Sequence, residues 1–356
     1  MNISDLDVNF KIETNIEKDD ICFRNVRQAP FKVYGVYYED GMFRRMPRAV
    51  AETVSPAVLR LHSQTAGGRV RFKTDSPYVA IKAQMGSICR MPHFALTGGA
   101  GFDMYINGEG EKPRYLRTFT PPYDMQDGFE SVYTFATQGW REITIHWPLY
   151  SEIRELYIGL SESASVCEPT PYRHEKPVVY YGSSITQGGC ASRPGMSYQN
   201  IISRRLSCDH INLGFSGNAK AEIEIAEYIK DLDMSVFVYD YDHNAPTTQH
   251  LQDTHERMFR IIREANPDLP IICASKPKVR RTAADQERME IIQKTCENSR
   301  AKGDRNVYFI EGAKLMAFAG LEGTVDGTHP TDFGFASMAI PFGDLLEEIL
   351  NKKEEK

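Results

Sequence analysis

The sequence predicts an all-β sandwich, jelly-roll-like in its strand spacing, followed by a three-layer α/β/α domain. Three observations predict this arrangement. Short apolar runs separated by turn residues fill roughly the first half of the chain. Strand-like and helix-like segments alternate from Pro177 onward, as they do in doubly wound parallel sheets. The length of 356 residues exceeds one ordinary domain and favours two.

The first half is predicted to be rich in strands and poor in helix. Turn residues separate its apolar runs, and Asn107-Gly108 is a strong signal for a tight β-hairpin. The predicted strands are residues 31–38, 57–62, 69–73, 78–84, 102–107, 115–120, 131–136, 141–147 and 155–160. Small, polar and Pro-rich sequence then marks a boundary. We therefore predict a β domain at residues 1–168, a linker at 169–176 and an α/β domain at 177–356.

The second half alternates between two kinds of segment. Its apolar, β-branched runs are typical of strands buried on both faces, and the longer segments between them are helix-like. The predicted strands are residues 177–181, 210–215, 235–241, 270–274 and 306–310. The predicted helices are about residues 198–206, 221–232, 250–265, 284–302 and 333–351. Five parallel strands fit the flavodoxin-like order 2-1-3-4-5.

Composition excludes several classes of partner. The formal net charge is −6 and no basic block stands out, so nucleic acid is not an expected partner. No apolar run approaches about 18 residues, so no membrane span is expected.

The seven cysteines are scattered without a C-x-x-C pair, which favours free thiols in a reducing compartment over structural zinc. Residues 1–20 lack the layout of a secretory signal, so a cytoplasmic location is expected. The sequence carries no signal for an oligomeric state.

Ser184 is the first candidate catalytic residue. It follows the apolar run that ends at Tyr181, and Gly182 lets the backbone turn sharply beside it. Ligands bind beyond the carboxyl ends of the strands in open α/β sheets, so this hydroxyl is expected at the site. The pattern is neither a G-x-S-x-G elbow nor a phosphate-binding loop. An ordinary loop serine is the alternative when this stretch is taken alone.

Three later stretches carry polar groups that a serine nucleophile needs. Gly217 follows the second strand and is expected to open a helix, where a backbone N–H can approach a ligand. Asn244 follows the third strand, and its amide can donate to a developing oxyanion. Asp326 and His329 lie three residues apart in a late loop, so the carboxylate can hold the imidazole in one tautomer. Each stretch alone also fits a plain turn or a solvated loop.

In this order, these four stretches resemble the SGNH hydrolase superfamily, also called GDSL esterases. The resemblance runs from about Pro177 to the end of the chain. It implies Ser184 as nucleophile, His329 as base and Asp326 as its partner, with an oxyanion hole from Ser184, Gly217 and Asn244. It implies no cofactor and no metal. Two departures, Ser183 for the usual Asp and His243-Asn244-Ala245-Pro246 for the usual Gly-x-Asn-Asp, indicate a divergent branch.

The first half supports the same resemblance. Gly101-Phe102-Asp103-Met104-Tyr105 is similar to the G-x-D-L-Y motif of a β domain that precedes certain SGNH esterases. A strand after a glycine turn is the alternative interpretation of these five residues. Together the two resemblances imply hydrolysis of small acyl esters, with O-acetyl groups on a carbohydrate or a similar small molecule as the expected substrate.

Side chains of the β domain are given structural roles. His62, His93 and His146 show no ligand spacing and are interpreted as strand residues. Trp140 and Trp147 flank one strand and could stack on sugar rings, although packing is the favoured interpretation. We hypothesise that this domain packs beside the catalytic cleft and narrows it, which would favour small acyl groups.

Three alternative functions stay open at this point. Asp240, Asp242, His243, Asp326 and His329 are the residue types of a metal-dependent phosphoesterase. An acyltransferase would use the same triad as an esterase. A non-catalytic carbohydrate-binding protein could retain the same scaffold.

Overall fold

The computed structural model describes Ile12, residues 15–108 and residues 110–354. A strand-rich half comes first and a parallel-sheet α/β half follows, so the predicted fold class is confirmed. Among the helices described, none is both long and apolar enough to cross a bilayer.

Two antiparallel sheets make up most of the first half, and their inner faces share one hydrophobic core. The strands are β1 Ile21–Asn25, β2 Lys32–Tyr34, β3 Tyr37–Glu39, β4 Met42–Arg44, β5 Arg69–Thr74, β6 Tyr78–Met85, β7 Phe102–Asn107, β8 Arg114–Phe119, β9 Gly128–Thr134, β10 Arg141–His146, β11 Ile153–Ser161 and β12 Val166–Cys167. One sheet has the order β1-β11-β6-β9. The other has the order β12-β5-β10-β7-β8, with β2 also paired to β5, and β3 and β4 form a separate hairpin.

The strand predicted over residues 57–62 is wrong, because Pro56–Leu61 is a helix. Ser55 caps this helix by accepting a hydrogen bond of 3.1 Å from the Val58 N–H. Val58 and Leu61 are buried, and their spacing of three residues suits one face of a helix. Further helices at Arg48–Val54 and Leu96–Gly99 give this half more helix than expected.

The hairpin predicted at Asn107-Gly108 exists, but its turn is longer than expected. Strands β7 and β8 pair antiparallel, and residues 108–113 connect them. The Gly108 N–H donates to the Glu111 carboxylate at 3.2 Å, which closes the loop beyond the two residues of a tight turn.

The second half contains a five-stranded parallel sheet in the order β14-β13-β15-β16-β17. In chain order this is 2-1-3-4-5, so the flavodoxin-like prediction is confirmed. The strands are β13 His174–Gly182, β14 Cys208–Gly214, β15 Val236–Asp240, β16 Ile271–Ala274 and β17 Val307–Ile310. The α-helices are Ser184–Gln187, Tyr198–Leu206, Ile223–Lys230, Thr248–Ala265, Ala283–Ala301, Gly312–Leu315 and Asp332–Glu354, with short 3₁₀ helices at Pro194–Met196, Asp242–Asn244 and Gly320–Gly323.

Side chains of the first half complete the packing on both faces of this parallel sheet. Met46 and Val58 belong to the cluster on the Tyr181 face, whereas Leu149 and Tyr150 belong to the cluster on the opposite face. The division at residues 1–168 and 177–356 stays a prediction. Removing the first segment would expose apolar surface on both faces, so point substitutions test its role better than a deletion does.

The two tryptophans have different environments. Trp147 is fully buried and packs edge-on against Phe43 at 4.6 Å between ring centroids, so the packing interpretation is confirmed for it. Trp140 is 54% exposed, so the same interpretation is wrong for Trp140.

Candidate active site

Ser184 lies directly beyond the carboxyl end of β13, as predicted. Ser183 caps the short helix Ser184–Gln187, because its Oγ accepts a hydrogen bond of 3.2 Å from the Ile185 N–H. Gly182 is required for close packing here. A Cβ at that position would come within 2.1 Å of the Asp240 carbonyl oxygen. The strand therefore delivers Ser184 to the rim of the sheet at a fixed position.

The structure joins Ser184, His329 and Asp326 in one hydrogen-bonded chain. Ser184 Oγ is 3.0 Å from His329 Nε2, although 145 positions separate the two residues in sequence. His329 Nδ1 is 2.7 Å from Asp326 Oδ2. An ionised carboxylate only accepts hydrogen bonds, so Nδ1 carries the proton and Nε2 is left to accept from the serine hydroxyl. This geometry suits proton abstraction from Ser184.

The Asp326 carboxylate is held by its own loop. Its Oδ1 accepts hydrogen bonds from the backbone N–H groups of Thr328 at 2.9 Å and His329 at 2.8 Å. Burial works to raise the pKa of Asp326, but the bond from the His329 ring and these backbone bonds outweigh it and lower the pKa to about 2. The carboxylate is therefore ionised throughout the neutral range.

Gly217 does not open a helix, so that expectation is wrong. It lies in a turn with φ +69°, and the next helix begins at Ile223. The left-handed backbone there favours glycine. The preceding N–H, that of Ser216, donates to Gln187 Oε1 at 3.0 Å. This bond ties the loop that carries Gly217 to the helix that begins at Ser184.

Asn244 is tied to the same loop. Its Nδ2 donates to the Phe215 carbonyl oxygen at 2.8 Å, so the loops after the second and third strands are joined. That bond uses one of the two N–H groups of the amide. The other N–H has no partner among the described residues. No hydrogen bond in the described part of the chain links Gly217 or Asn244 to Ser184 itself.

Asp240 and Asp242, two of the residues considered as metal ligands, do not group with the triad. Asp242 pairs with Arg288 at 2.8 Å and accepts from the Lys276 N–H at 2.9 Å. Asp240 is fully buried, and burial raises the pKa of its carboxyl well above the ordinary value. Among the described residues, the ligand atoms of these two aspartates and of His243 do not group with those of Asp326 or His329. The five-residue phosphoesterase set is therefore not assembled.

His243 lies near the triad as a neutral ring. Burial lowers the pKa of His243 to about 4, and the nearby Asp242 carboxylate offsets this effect only in part. Its Nε2 is buried and has no hydrogen-bond partner among the described residues. The residue next to Asn244 therefore adds an uncharged polar group to this side of the site.

The first half contributes several groups to the site that its sequence did not reveal. The Tyr150 hydroxyl donates to the Ser184 carbonyl oxygen at 3.1 Å. Gln187 Nε2 donates to Gln64 Oε1 at 2.5 Å and to the Leu149 carbonyl oxygen at 3.2 Å. These contacts depend on how the two halves pack, and no local pattern signals them.

His93 is a further contribution from the first half. It lies in an exposed turn flanked by the Met91–Phe94 bridge, and its ring centroid is 5.8 Å from that of His329. The interpretation of His93 as a strand residue is therefore wrong. The same interpretation is wrong for His62, which ends a helix, and is confirmed for His146 in β10.

Comparison with known families gives two matches that divide the chain. The model of the GDSL-like lipase/acylhydrolase family matches residues 175–350. The model of the GxDLY domain, the N-terminus of SGNH-hydrolase-type esterases, matches residues 21–166. A comparison with curated protein sequences gives no match.

Solved structures with the same fold span both halves. A Bacteroides ovatus protein assigned as a GDSL-like lipase is 31% identical with a TM-score of 0.83, over 93% of this chain and 98% of that one. The salicylyl-acyltransferase SsfX3 from a tetracycline biosynthetic pathway is 21% identical with a TM-score of 0.76, over 94% and 99%. A family two carbohydrate esterase from Cellvibrio japonicus is 12% identical with a TM-score of 0.61, over 93% and 98%.

The Bacteroides ovatus structure supports membership of the same family as well as a shared fold, because it is 31% identical over 93% of this chain. Its assignment agrees with both family matches. The chain therefore belongs to the GDSL-like lipase/acylhydrolase family of SGNH hydrolases, with a GxDLY-type N-terminal domain, and is a carboxylic ester hydrolase.

Proposed function

We propose that the protein is a serine esterase that removes small acyl groups, with O-acetylated carbohydrates or similar small molecules as substrates. The observation that carries this proposal is the hydrogen-bonded chain from Ser184 through His329 to Asp326. An activated nucleophile needs a base within hydrogen-bond reach and a third group that orients the base. These three side chains meet that requirement.

In the proposed mechanism, Ser184 Oγ attacks the ester carbonyl while His329 Nε2 takes its proton. The imidazolium then donates that proton to the leaving alcohol, and an acyl-serine ester remains. Water attacks this ester with His329 again as base, which releases the acid and restores the serine hydroxyl. Asp326 keeps the imidazole in one tautomer and stabilises its positive charge during both steps.

The tetrahedral intermediate carries a negative oxygen that needs hydrogen-bond donors. We assign this role to the N–H groups of Ser184 and Gly217 and to the free N–H of the Asn244 amide. The bond between Asn244 and Phe215 supports the assignment, because it fixes the amide while leaving one N–H available. The bond from Ser216 to Gln187 positions the Gly217 turn in the same way.

The alcohol part of the substrate is proposed to lie against the first half. A cavity of about 400 Å³ adjoins the turn that carries His93. Tyr123 at this cavity is 79% exposed, and an exposed aromatic ring can stack on a sugar. Family two carbohydrate esterases share the fold, and one of them, from Clostridium thermocellum, was crystallised with cellohexaose. The cavity is lined by Arg90, Met91, Pro92, Phe94, Leu96 and Tyr123.

Acyl transfer is the second candidate, favoured by the fold shared with a salicylyl-acyltransferase. Both reactions pass through the same acyl-serine, and they differ only in whether water or another alcohol attacks it. Adding sugar or aryl alcohols to the assay separates them. Hydrolysis predicts free acid as the main product at every alcohol concentration. A new ester that exceeds the free acid would establish transfer instead.

The test of the proposal is a substrate panel of acetylated sugars and p-nitrophenyl esters of increasing acyl length. We expect wild type to prefer acetyl esters and Ser184→Ala to lose about 10⁴–10⁶-fold in kcat. Ser183→Ala is the matched control. It removes the hydroxyl next to Ser184, and the only interaction lost within the described part of the chain is the helix-capping hydrogen bond from the Ile185 N–H. We expect it to keep its activity within about tenfold, since losing a cap costs about 1 kcal/mol of stability. Ester hydrolysis that survives in Ser184→Ala would disprove the serine mechanism.

The site of the alcohol part has its own test. Tyr123→Ala should raise KM for acetylated sugars and leave KM for p-nitrophenyl acetate unchanged, because only the sugar reaches the cavity. Equal effects on both substrates would contradict the proposed orientation.

A further inference from the structure

His93 has a position that the esterase mechanism does not explain. It comes from the strand-rich half, yet its ring faces His329 at 5.8 Å between centroids with an interplanar angle of 52°. This angle is far from parallel stacking. The His93 side chain is exposed, and none of the described residues makes a hydrogen bond to its imidazole. The ring is therefore free to bind something at the mouth of the site.

Two neighbours of His93 are also potential metal ligands. One ligand atom each from His93, Asp326 and His329 lies within 4.8 Å of the other two. Two imidazole nitrogens and one carboxylate oxygen form a donor set that suits zinc and similar divalent transition metals.

We propose that His93, Asp326 and His329 form an inhibitory site for zinc or a related divalent transition metal ion. Three protein ligands, from both halves of the chain, would bind the metal, and water would complete its coordination. This site is distinct from the phosphoesterase set considered from the sequence, which lacked His93 and included Asp240, Asp242 and His243.

The distances allow such a site after a small movement. Zinc–nitrogen bonds of about 2.0–2.1 Å place tetrahedral ligand atoms about 3.3 Å apart, so the separations from His93 must shrink by at most about 1.5 Å. His93 can supply this movement, because its side chain is exposed in a turn and has no hydrogen bond to break among the described residues. His329 Nδ1 and Asp326 Oδ2 are 2.7 Å apart, so they must open by about 0.6 Å to admit the ion between them.

Coordination would block the triad through His329 Nδ1, the nitrogen that faces Asp326 at 2.7 Å. A metal on Nδ1 replaces the hydrogen bond to Asp326, and the ring proton is then held on Nε2 instead. An imidazole protonated on Nε2 cannot accept the proton of Ser184, so the bound ion switches the site off. The metal binding itself does not depend on the proposed esterase function, whereas the inhibition does.

The first test measures binding without any reaction. Zinc is titrated calorimetrically into chelator-treated wild type, His93→Ala, Asp326→Asn and Ser184→Ala. We expect wild type to bind one zinc ion per chain. His93→Ala and Asp326→Asn should each lose at least about 10–100-fold in zinc affinity, because even changes to residues that only support metal ligands cost that much. Ser184→Ala should bind zinc as wild type does, because it is not a ligand. His250→Ala, at a half-buried histidine outside the set, is the matched control and should also bind normally.

The second test measures the consequence. Zinc should inhibit ester hydrolysis by wild type, and excess EDTA should restore the activity. The zinc concentration that halves the rate should be higher for His93→Ala, by the same factor as its loss of zinc affinity in the calorimetric titration. Each variant is compared with its own rate in EDTA. Zinc binding of equal affinity in wild type and His93→Ala would overturn the proposal, as would zinc that stimulates the reaction. If no ester is hydrolysed yet zinc binding requires His93, the esterase proposal fails and the metal site stands.

Discussion

The carboxylate of Asp103, in the first half, accepts a hydrogen bond of 2.7 Å from the guanidinium of Arg193, in the loop that follows the candidate nucleophile. Asp103 has no exposed surface, and it also accepts from the Gly195 N–H at 3.0 Å. It is the acidic residue of the Gly101–Tyr105 stretch that resembles the G-x-D-L-Y motif. In this chain the motif therefore fastens the β-rich half to the segment behind Ser184.

We predict that Asp103→Ala lowers the free energy of unfolding by about 3–5 kcal/mol, because removing one partner leaves a largely buried charge unpaired. Urea denaturation measures the change. Asp124→Ala, which removes an exposed carboxylate from the same half, is the control and should change it by no more than about 0.5 kcal/mol. Equal effects of the two substitutions would show that the Asp103 bonds do not stabilise the fold.

Acid should weaken the same contact. Burial works to raise the pKa of Asp103, but the His146 hydrogen bond and the Arg193 charge outweigh it and hold the pKa below the ordinary value of 3.8. A carboxyl group whose pKa is lower in the folded than in the unfolded state stabilises the fold at pH values above its unfolded-state pKa. This contribution is lost as the pH falls through the folded-state pKa. The stability difference between wild type and Asp103→Ala should therefore shrink below about pH 4. A difference that stays constant down to pH 2 would contradict the assigned cause.

Asn244→Ala should reduce kcat by about 10²–10³-fold, the usual cost of one oxyanion donor. The fold should persist, since the substitution removes a half-buried side chain at the end of the short 3₁₀ helix Asp242–Asn244. Circular dichroism checks the fold and steady-state kinetics check kcat. An unchanged kcat in a folded variant would remove Asn244 from the oxyanion hole.

Asp326→Asn should reduce kcat by about 10⁴-fold, because the amide favours the wrong imidazole tautomer. It also removes the negative charge that stabilises the imidazolium. Steady-state kinetics on wild type and Asp326→Asn measure the change. A kcat that stays within about tenfold of wild type would mean that Asp326 does not act on the imidazole as described.

Elements defined by local patterns were predicted closely. The helix at Tyr198–Leu206 has the predicted bounds, and each strand of the parallel sheet was found, because buried apolar runs are local signals. Residues 57–62 were mistaken for a strand because a short apolar run fits either period. The cap at Ser55 and the burial of Val58 and Leu61 on one face favour a helix for this segment.

The site was predictable where chemistry and sequence spacing coincide. Ser184, Asp326 and His329 form the expected hydrogen-bonded chain, and the distances confirm their proximity. His93 and Tyr150 reach the same region only because the two halves pack together. Packing between distant segments leaves no periodic or motif-like trace, so the sequence alone does not place these two residues at the site.

The central claim is that His329 activates the Ser184 hydroxyl. It is tested most directly by labelling wild type and His329→Ala with a fluorophosphonate and locating the adduct by tandem mass spectrometry. We predict one adduct per wild-type chain, on Ser184, forming at least about 10³-fold more slowly in His329→Ala, where no base takes the proton. Wild-type protein that hydrolyses esters but carries its adduct on another residue, or that reacts no faster than His329→Ala, would contradict the claim.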